Sequence, residues 1–157
     1  MSATSDATFG HRCVSVSRHV AAPAADVFAV LRDPALHAVI DGSGTVKASR
    51  ESAGELLEMG STFGMDMRMG VPYRIANEVV EYEDDRRIAW RHMGGHRWRY
   101  EITPEGDDAC TVTETFDWST SKLPLVIQAL GQDRKHVPNM TRTLERLDRY
   151  VTTGSPD

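Results

Sequence analysis

Between Arg87 and Ile102 the chain reads RIAWRHMGGHRWRYEI, and the alternation in this stretch decides the fold. Ile88, Trp90 and His92 fall on one parity and His96, Trp98, Tyr100 and Ile102 on another, with Arg87, Arg91, Arg97 and Arg99 between them. Apolar and charged residues alternating with period two are the mark of half-buried antiparallel strands, hinged here at Gly94-Gly95. A two-residue loop would set Trp90 opposite Arg99 and split the pattern. A three-residue loop, Met93-Gly94-Gly95, sets His92 opposite His96 and Trp90 opposite Trp98, and a glycine supplies the left-handed residue such a loop needs. The three-residue loop is therefore predicted. Its inner face is aromatic yet carries two imidazoles, which suits a pocket wall better than a plain core.

Working outward, residues 14–20 alternate as a first strand. Pro23 opens the helix AAPAADVFAVL, which turns Val27, Phe28, Val30 and Leu31 inward. Asp33 caps a second short helix that starts at Pro34 and ends near Ile40. Gly42-Ser43-Gly44 breaks the chain before a strand over 45–50. Phe63, Met65, Met67 and Met69 share one face of a third strand; residues 73–82 form a fourth, turning at Asp84-Asp85. After the Gly-Gly hairpin, PEGDD at 104–108 turns the chain into a seventh strand, CTVTETFDWS. Leu123, Val126, Ile127, Leu130, Val137, Met140, Leu144, Leu147 and Val151 recur at three- and four-residue steps. They predict one long amphipathic helix kinked at Pro138. The order strand, two short helices, six strands, long helix is α+β: a curved seven-stranded antiparallel sheet gripping the helix over a cavity.

At 157 residues, with 40% hydrophobic and 26% charged residues, the chain fits one globular domain. That domain is placed at 12–152, between a disordered tail at 1–11 and a short tail at 153–157. A net charge of −5 argues against nucleic acid as partner. No apolar run is long enough for a membrane span and no signal-peptide core is present, so a cytoplasmic monomer or homodimer is expected. Cys13 and Cys110 become neighbours if the first and last strands pair, but in a cytoplasmic chain free thiols are the ordinary state.

Glu114 is the sharpest anomaly. It shares parity with Cys110, Val112, Phe116 and Trp118, while Thr111, Thr113, Thr115 and Asp117 take the other face, so a carboxylate points inward. Unpaired and buried, it would hold its proton and serve as a general acid or base; paired, its natural partner is Arg18 on the first strand. His92 and His96 read as solvent-edge residues, as polar contacts for a ligand, as proton carriers, or as the start of a metal site that lacks a third ligand. Neither metal nor cofactor is predicted. Phe63, Met65 and Met67 would add a soft, deformable wall. Asn77 faces inward only if the Asp84-Asp85 turn has two residues, because a one-residue slip inverts the register. On the last helix His136 and Met140 lie one turn apart beside Pro138.

The run from Val20 to Pro34, VAAPAADVFAVLRDP, resembles the opening of the polyketide cyclase/dehydrase branch of the START-like (SRPBCC) superfamily. Gly60-Ser61-Thr62-Phe63 and the stretch from Val79 to Trp90 resemble its third-strand entry and its fourth-to-fifth strand passage. Asp84-Asp85 stands where members usually prefer a proline. The resemblance spans about residues 13–151 and implies the helix-grip fold of the birch-pollen allergen Bet v 1, with a hydrophobic ligand under the C-terminal helix. It implies no shared catalytic set.

Two functions follow as expectations. One is binding of a small hydrophobic molecule (lipid, sterol, polyketide or quinone) by Phe63, Met65, Met67, Trp90, Trp98, Tyr100, Phe116 and Met140, with His92, His96, Glu114 and His136 as polar points. The other is a cyclase or dehydratase in which His92 or His96 and Glu114 move protons. A third reading has the last helix or the arginine-rich hairpin meet a partner protein.

Overall fold

The computed structural model describes residues 7–42, 46–49, 56–69, 71–92 and 94–157, with side chains given except at 46–49, 65–69, 71–75 and 132–133. The Met65 and Met67 wall, like the tip residue Met93, lies outside what is described. All seven expected strands are present: β2 (Cys13–Val20), β3 (Val46–Ser49), β4 (Thr62–Met69), β5 (Val71–Glu83), β6 (Arg87–Arg91), β7 (Arg97–Pro104) and β8 (Cys110–Asp117). An eighth, β1 (Thr8–Gly10), occupies part of the stretch expected to be a disordered tail. It pairs Phe9 with Val14 at the sheet edge. The sheet is antiparallel in the order β1-β2-β8-β7-β6-β5-β4-β3.

Helix α1 (Ala24–Leu31) follows β2 and buries Val27, Phe28, Val30 and Leu31. A single 3-10 turn (Pro34–Leu36), capped by the Asp33 carboxylate on the Ala35 amide at 3.1 Å, leads into α2 (His37–Ile40). The C-terminal segment departs from the single helix expected. Gly131, at a φ of 68°, separates α3 (Pro124–Ala129) from α4 (Gln132–Thr153), which runs through Pro138. A left-handed residue ends one helix and lets the next leave in a new direction. The apolar stripe divides with it. Met140, Leu144 and Leu147 are in the core, whereas Leu123, Leu125, Val126 and Leu130 are exposed and α3 buries no residue.

Helix α4 lies against β2 and β8 and also meets α1, α2 and α3. Gly42 fixes how near α2 can come to it. The Gly42 amide donates to Thr143 Oγ1 at 2.9 Å, and a Cβ there would stand 2.5 Å from the Thr143 backbone nitrogen. The expected Arg18–Glu114 ion pair does not form. Arg18 has the inward parity but stands opposite Val112, while Glu114 stands opposite Val16. The guanidinium reaches α4 instead, donating to Asp148 at 2.8 Å. Pairing of β2 with β8 likewise parts the two cysteines: Cys13 faces Asp117 and Cys110 faces Val20, at opposite ends of the ladder.

Candidate functional site

The hairpin between β6 and β7 has the predicted register. Trp90 pairs with Trp98 and Arg91 with Arg97, the His92 amide donates to the His96 carbonyl at 3.0 Å, and Gly95 takes a φ of 91°. A Cβ at Gly95 would also press on the Thr120 carbonyl at 2.6 Å, so the tip is held against the loop after β8. The outward arginines are neutralised in place. Arg87 pairs with Glu101, Arg91 with Glu78, Arg97 with Glu81, and Arg99 with both Glu81 and Asp117. With its charge spent inside the sheet, this face is not a basic patch.

Asn77 points inward by an unexpected route. The turn after β5 holds residues 84–86 rather than two, since Glu83 pairs with Arg87 and Asp85 takes a left-handed φ of 59°. That length alone would invert the register. A bulge between Val79 and Glu81 adds one residue and restores Val79 opposite Trp90. Asn77, Val79 and Tyr82 all face the interior as a result, and Asn77 is 2% exposed.

The inner sheet face then arranges itself in lines. Along the middle run Val79, Trp90, Trp98, Phe116 and Val14, one residue per strand from β5 to β2. On one side Ile88, Tyr100 and Glu114 form the next line, in which Tyr100 Oη donates to Glu114 Oε1 at 2.8 Å. On the other side Asn77 and His92 sit one step beyond the Glu78–Arg91 pair, next to His96. His92 and His96 stack at 4.7 Å. Helix α4 brings His136 down upon this end, 4.5 Å from the Phe116 ring and 5.0 Å from Trp98. Phe63 on β4 meets Trp90 edge-on at 5.7 Å, and Met140 is buried beside Leu144 in the same core. The predicted residues with described side chains thus converge on one interior.

Electrostatics set this interior apart from an ordinary core. Glu114 is 4% exposed and its Oε2 has no partner among the described residues. Burial pushes its carboxyl up to about 8; the Tyr100 hydrogen bond opposes this and the Asp41 charge adds to it. At neutral pH the side chain is chiefly a neutral acid, able to donate from Oε2. The Tyr100 hydroxyl is raised well above 10 by burial and by the Glu114 beside it. His92 is driven down to about 3 by burial, with His96 and His136 adding repulsion, and burial lowers His96 too. Neutral imidazoles and a neutral carboxylic acid make the site uncharged but rich in donors and acceptors. Among the described residues no three His, Cys, Asp or Glu side chains come together as a metal set, and no helix is long and apolar enough to cross a membrane.

One residue of this interior was not legible beforehand. His37 of α2 stacks on Trp90 at 4.9 Å, lies 5.4 Å from Phe63, and binds the Leu31 carbonyl through Nε2 at 2.9 Å. Its helix has four residues, too few to show a periodicity, and its contact is with a strand about fifty positions away.

An open antiparallel sheet packed on a long C-terminal helix, with two short helices after the second strand, defines a helix-grip protein of the Bet v 1-like, START-like class. The chain belongs to the polyketide cyclase/dehydrase and lipid transport family, whose pattern matches residues 11–152. An uncharacterized protein of Mycobacterium tuberculosis is 42% identical over 106 residues, 67% of this chain and 47% of that protein. The chain spans about half the length of the curated relatives it matches. Among solved structures, a protein from Arthrobacter aurescens superimposes with a TM-score of 0.72 at 11% identity, over 97% of this chain and 94% of that one. A Thalictrum norcoclaurine synthase point mutant, in complex with a transition state analogue, gives 0.64 at 14% identity over 90% and 94%.

Proposed function

We propose that the protein binds a small, largely apolar molecule between the inner face of the sheet and α4, walled by Phe63, Trp90, Trp98, Tyr100, Phe116 and Met140. The observation that carries this reading is Glu114: a carboxylic acid 4% exposed, with one oxygen held by Tyr100 and the other without a partner among the described residues, set among aromatic rings. A group so placed is costly to a core and useful to a pocket, where a few polar points orient an otherwise apolar ligand. Membership of a family described by both cyclase/dehydrase chemistry and lipid transport supports the same class of ligand. Two free cysteines fit a reducing, cytoplasmic setting. Native mass spectrometry of gently purified protein, followed by organic extraction, tests the reading directly. A retained apolar mass is expected. Absence of any retained mass, together with no quenching of Trp90 and Trp98 fluorescence by a lipid, sterol and quinone panel, refutes it.

A second reading is proton-transfer catalysis of the cyclase/dehydratase type. It is favoured by one observation, the Glu114 carboxyl held near 8, where it can give and take a proton at physiological pH. A norcoclaurine synthase shares the fold, so the scaffold is compatible with an enzyme. Glu114→Gln separates the two readings: it abolishes turnover of a true substrate if Glu114 is the acid/base, and leaves retention of a bound ligand largely intact if the protein only binds.

A further inference from the structure

On the inner face near Trp90, Phe63 and Tyr100, three buried side chains end in polar atoms with no protein partner among the described residues: His37 Nδ1, both amide atoms of Asn77, and Glu114 Oε2. They come from separate elements, and aromatic contacts gather them. His37 stacks on Trp90 and meets Phe63; Asn77 stands opposite Phe63 in the β4–β5 ladder; Trp90 lies 5.6 Å from Tyr100, which holds Glu114. None of the three is more than 5% exposed. Leaving one such group unsatisfied costs ~1–3 kcal/mol. Two of them, His37 and Asn77, meet at Phe63, where their unmatched atoms favour a ligand over plain packing.

The chemistry of these atoms specifies what they would accept. A carbonyl can only accept, so His37 carries its proton on Nε2, toward Leu31, and turns Nδ1 inward as a bare acceptor. Burial lowers the pKa of His37, which keeps the ring neutral. Asn77 offers an acceptor and a donor side by side. A ligand bearing only carbonyls leaves Nδ1 unmatched. An ionised carboxylate fares worse, because it too only accepts and it brings a charge into a buried site. Among the described residues Arg18 is committed to Asp148, while Arg32, whose Nε has no partner, lies away from this subsite against the rings of Phe28 and Tyr82. A hydroxyl, which donates and accepts through one atom, fits both side chains.

We propose that His37 and Asn77 form a polar subsite that selects neutral, hydroxyl-bearing ring compounds over the carbonyl-only, ether or ionised forms of the same skeleton. The inference rests on the ligand-binding reading above and narrows it. Three two-ring probes separate them by isothermal titration at pH 7: 2-naphthol, 2-methoxynaphthalene, which keeps the oxygen and loses the donor, and 2-naphthoate. The expected result is ~10-fold tighter binding of 2-naphthol than of its methyl ether, with 2-naphthoate weakest, since an unmatched buried acceptor has about that value. In His37→Phe, which keeps a ring against Trp90, and in Asn77→Leu, the preference collapses toward one while the ether binds as before. The comparison of ratios cancels differences in probe size and apolarity. Asn77→Leu adds a readout that a structural role would not give. It raises the thermal midpoint of the free protein, because it removes an unpaired amide from the core. Equal binding of 2-naphthol and its ether by the wild type overturns the proposed subsite and leaves apolar binding standing. Failure of all three probes to bind also overturns the subsite, and the retained-mass and quenching tests above then judge apolar binding separately.

Discussion

Replacing Glu114 with glutamine makes a direct test of how this interior is built. Gln keeps an oxygen for the Tyr100 hydroxyl and the same shape, and removes only the titration. In the folded wild type the carboxyl titrates near 8, against 4.5 for an ordinary glutamate. Between those values the folded state keeps a proton that the unfolded state has released, so stability falls as pH rises. Each pH unit in that window removes about 1.4 kcal/mol, or ~5 kcal/mol across it. Glu114→Gln has no such slope. Urea unfolding followed by Trp fluorescence, at half-unit steps from pH 5 to 8.5, measures both proteins under one protocol. At pH 5, where Glu114 is protonated, the two differ by no more than ~1 kcal/mol, the value of a single neutral hydrogen bond. By pH 8.5 the variant is the more stable by several kcal/mol. Every other titrating group contributes equally to both curves, so their difference isolates this residue. Curves that stay parallel across the window refute the reasoning, for Glu114 would then be solvated or paired with a cation.

The imidazoles act in the opposite sense. His92 is held near 3 in the folded state against 6.5 unfolded, so its contribution is complete above 6.5 and is lost, at about 1.4 kcal/mol per pH unit, as pH falls toward 3. His92→Phe makes the acid limb of the stability curve measurably shallower in the same urea series. Gly42→Ala forces a methyl group onto the backbone of α4 and lowers stability by ~1–3 kcal/mol, read as a shift of the urea midpoint. The double substitution Leu125→Ser, Val126→Ser changes stability by less than ~0.5 kcal/mol, because α3 buries neither side chain. A large loss there would mean that α3 is covered in solution.

What the chain discloses about itself follows the range of the interactions involved. Strand faces depend on neighbours two positions apart, so the hairpin, the inward Glu114 and the convergence of Trp90, Trp98, Tyr100 and Phe116 were all legible. Arg18 shows the limit. Its parity was readable, but its partner Asp148 sits on a helix 130 positions away, and nothing local distinguishes that carboxylate from Glu114. His37 was invisible for the same reason, since only the packing of α2 on Trp90 gives it a role. The break at Gly131 escaped because Leu130 and Val137, seven residues apart, keep the helical phase across it, while one glycine inside a helical pattern is a weak stop signal. At Asn77 the orientation was anticipated and the cause was not: a two-residue turn was expected, and a longer turn with a bulge gives the same result.

That coincidence at β5 ties two sites together in any history of insertions and deletions. The extra residue at Val80 and the extra residue in the 84–86 turn each shift the β5–β6 register by one, and they cancel. Losing either alone would carry Asn77 and Val79 to the outer face and bring Glu78 inward, exchanging the polar and apolar sides of the strand ahead of the bulge. Losing both would leave the inner face as it is. A lineage that shortens the turn must therefore also iron out the bulge. Between homologous chains the two lengths should change as a pair, although neither touches the other.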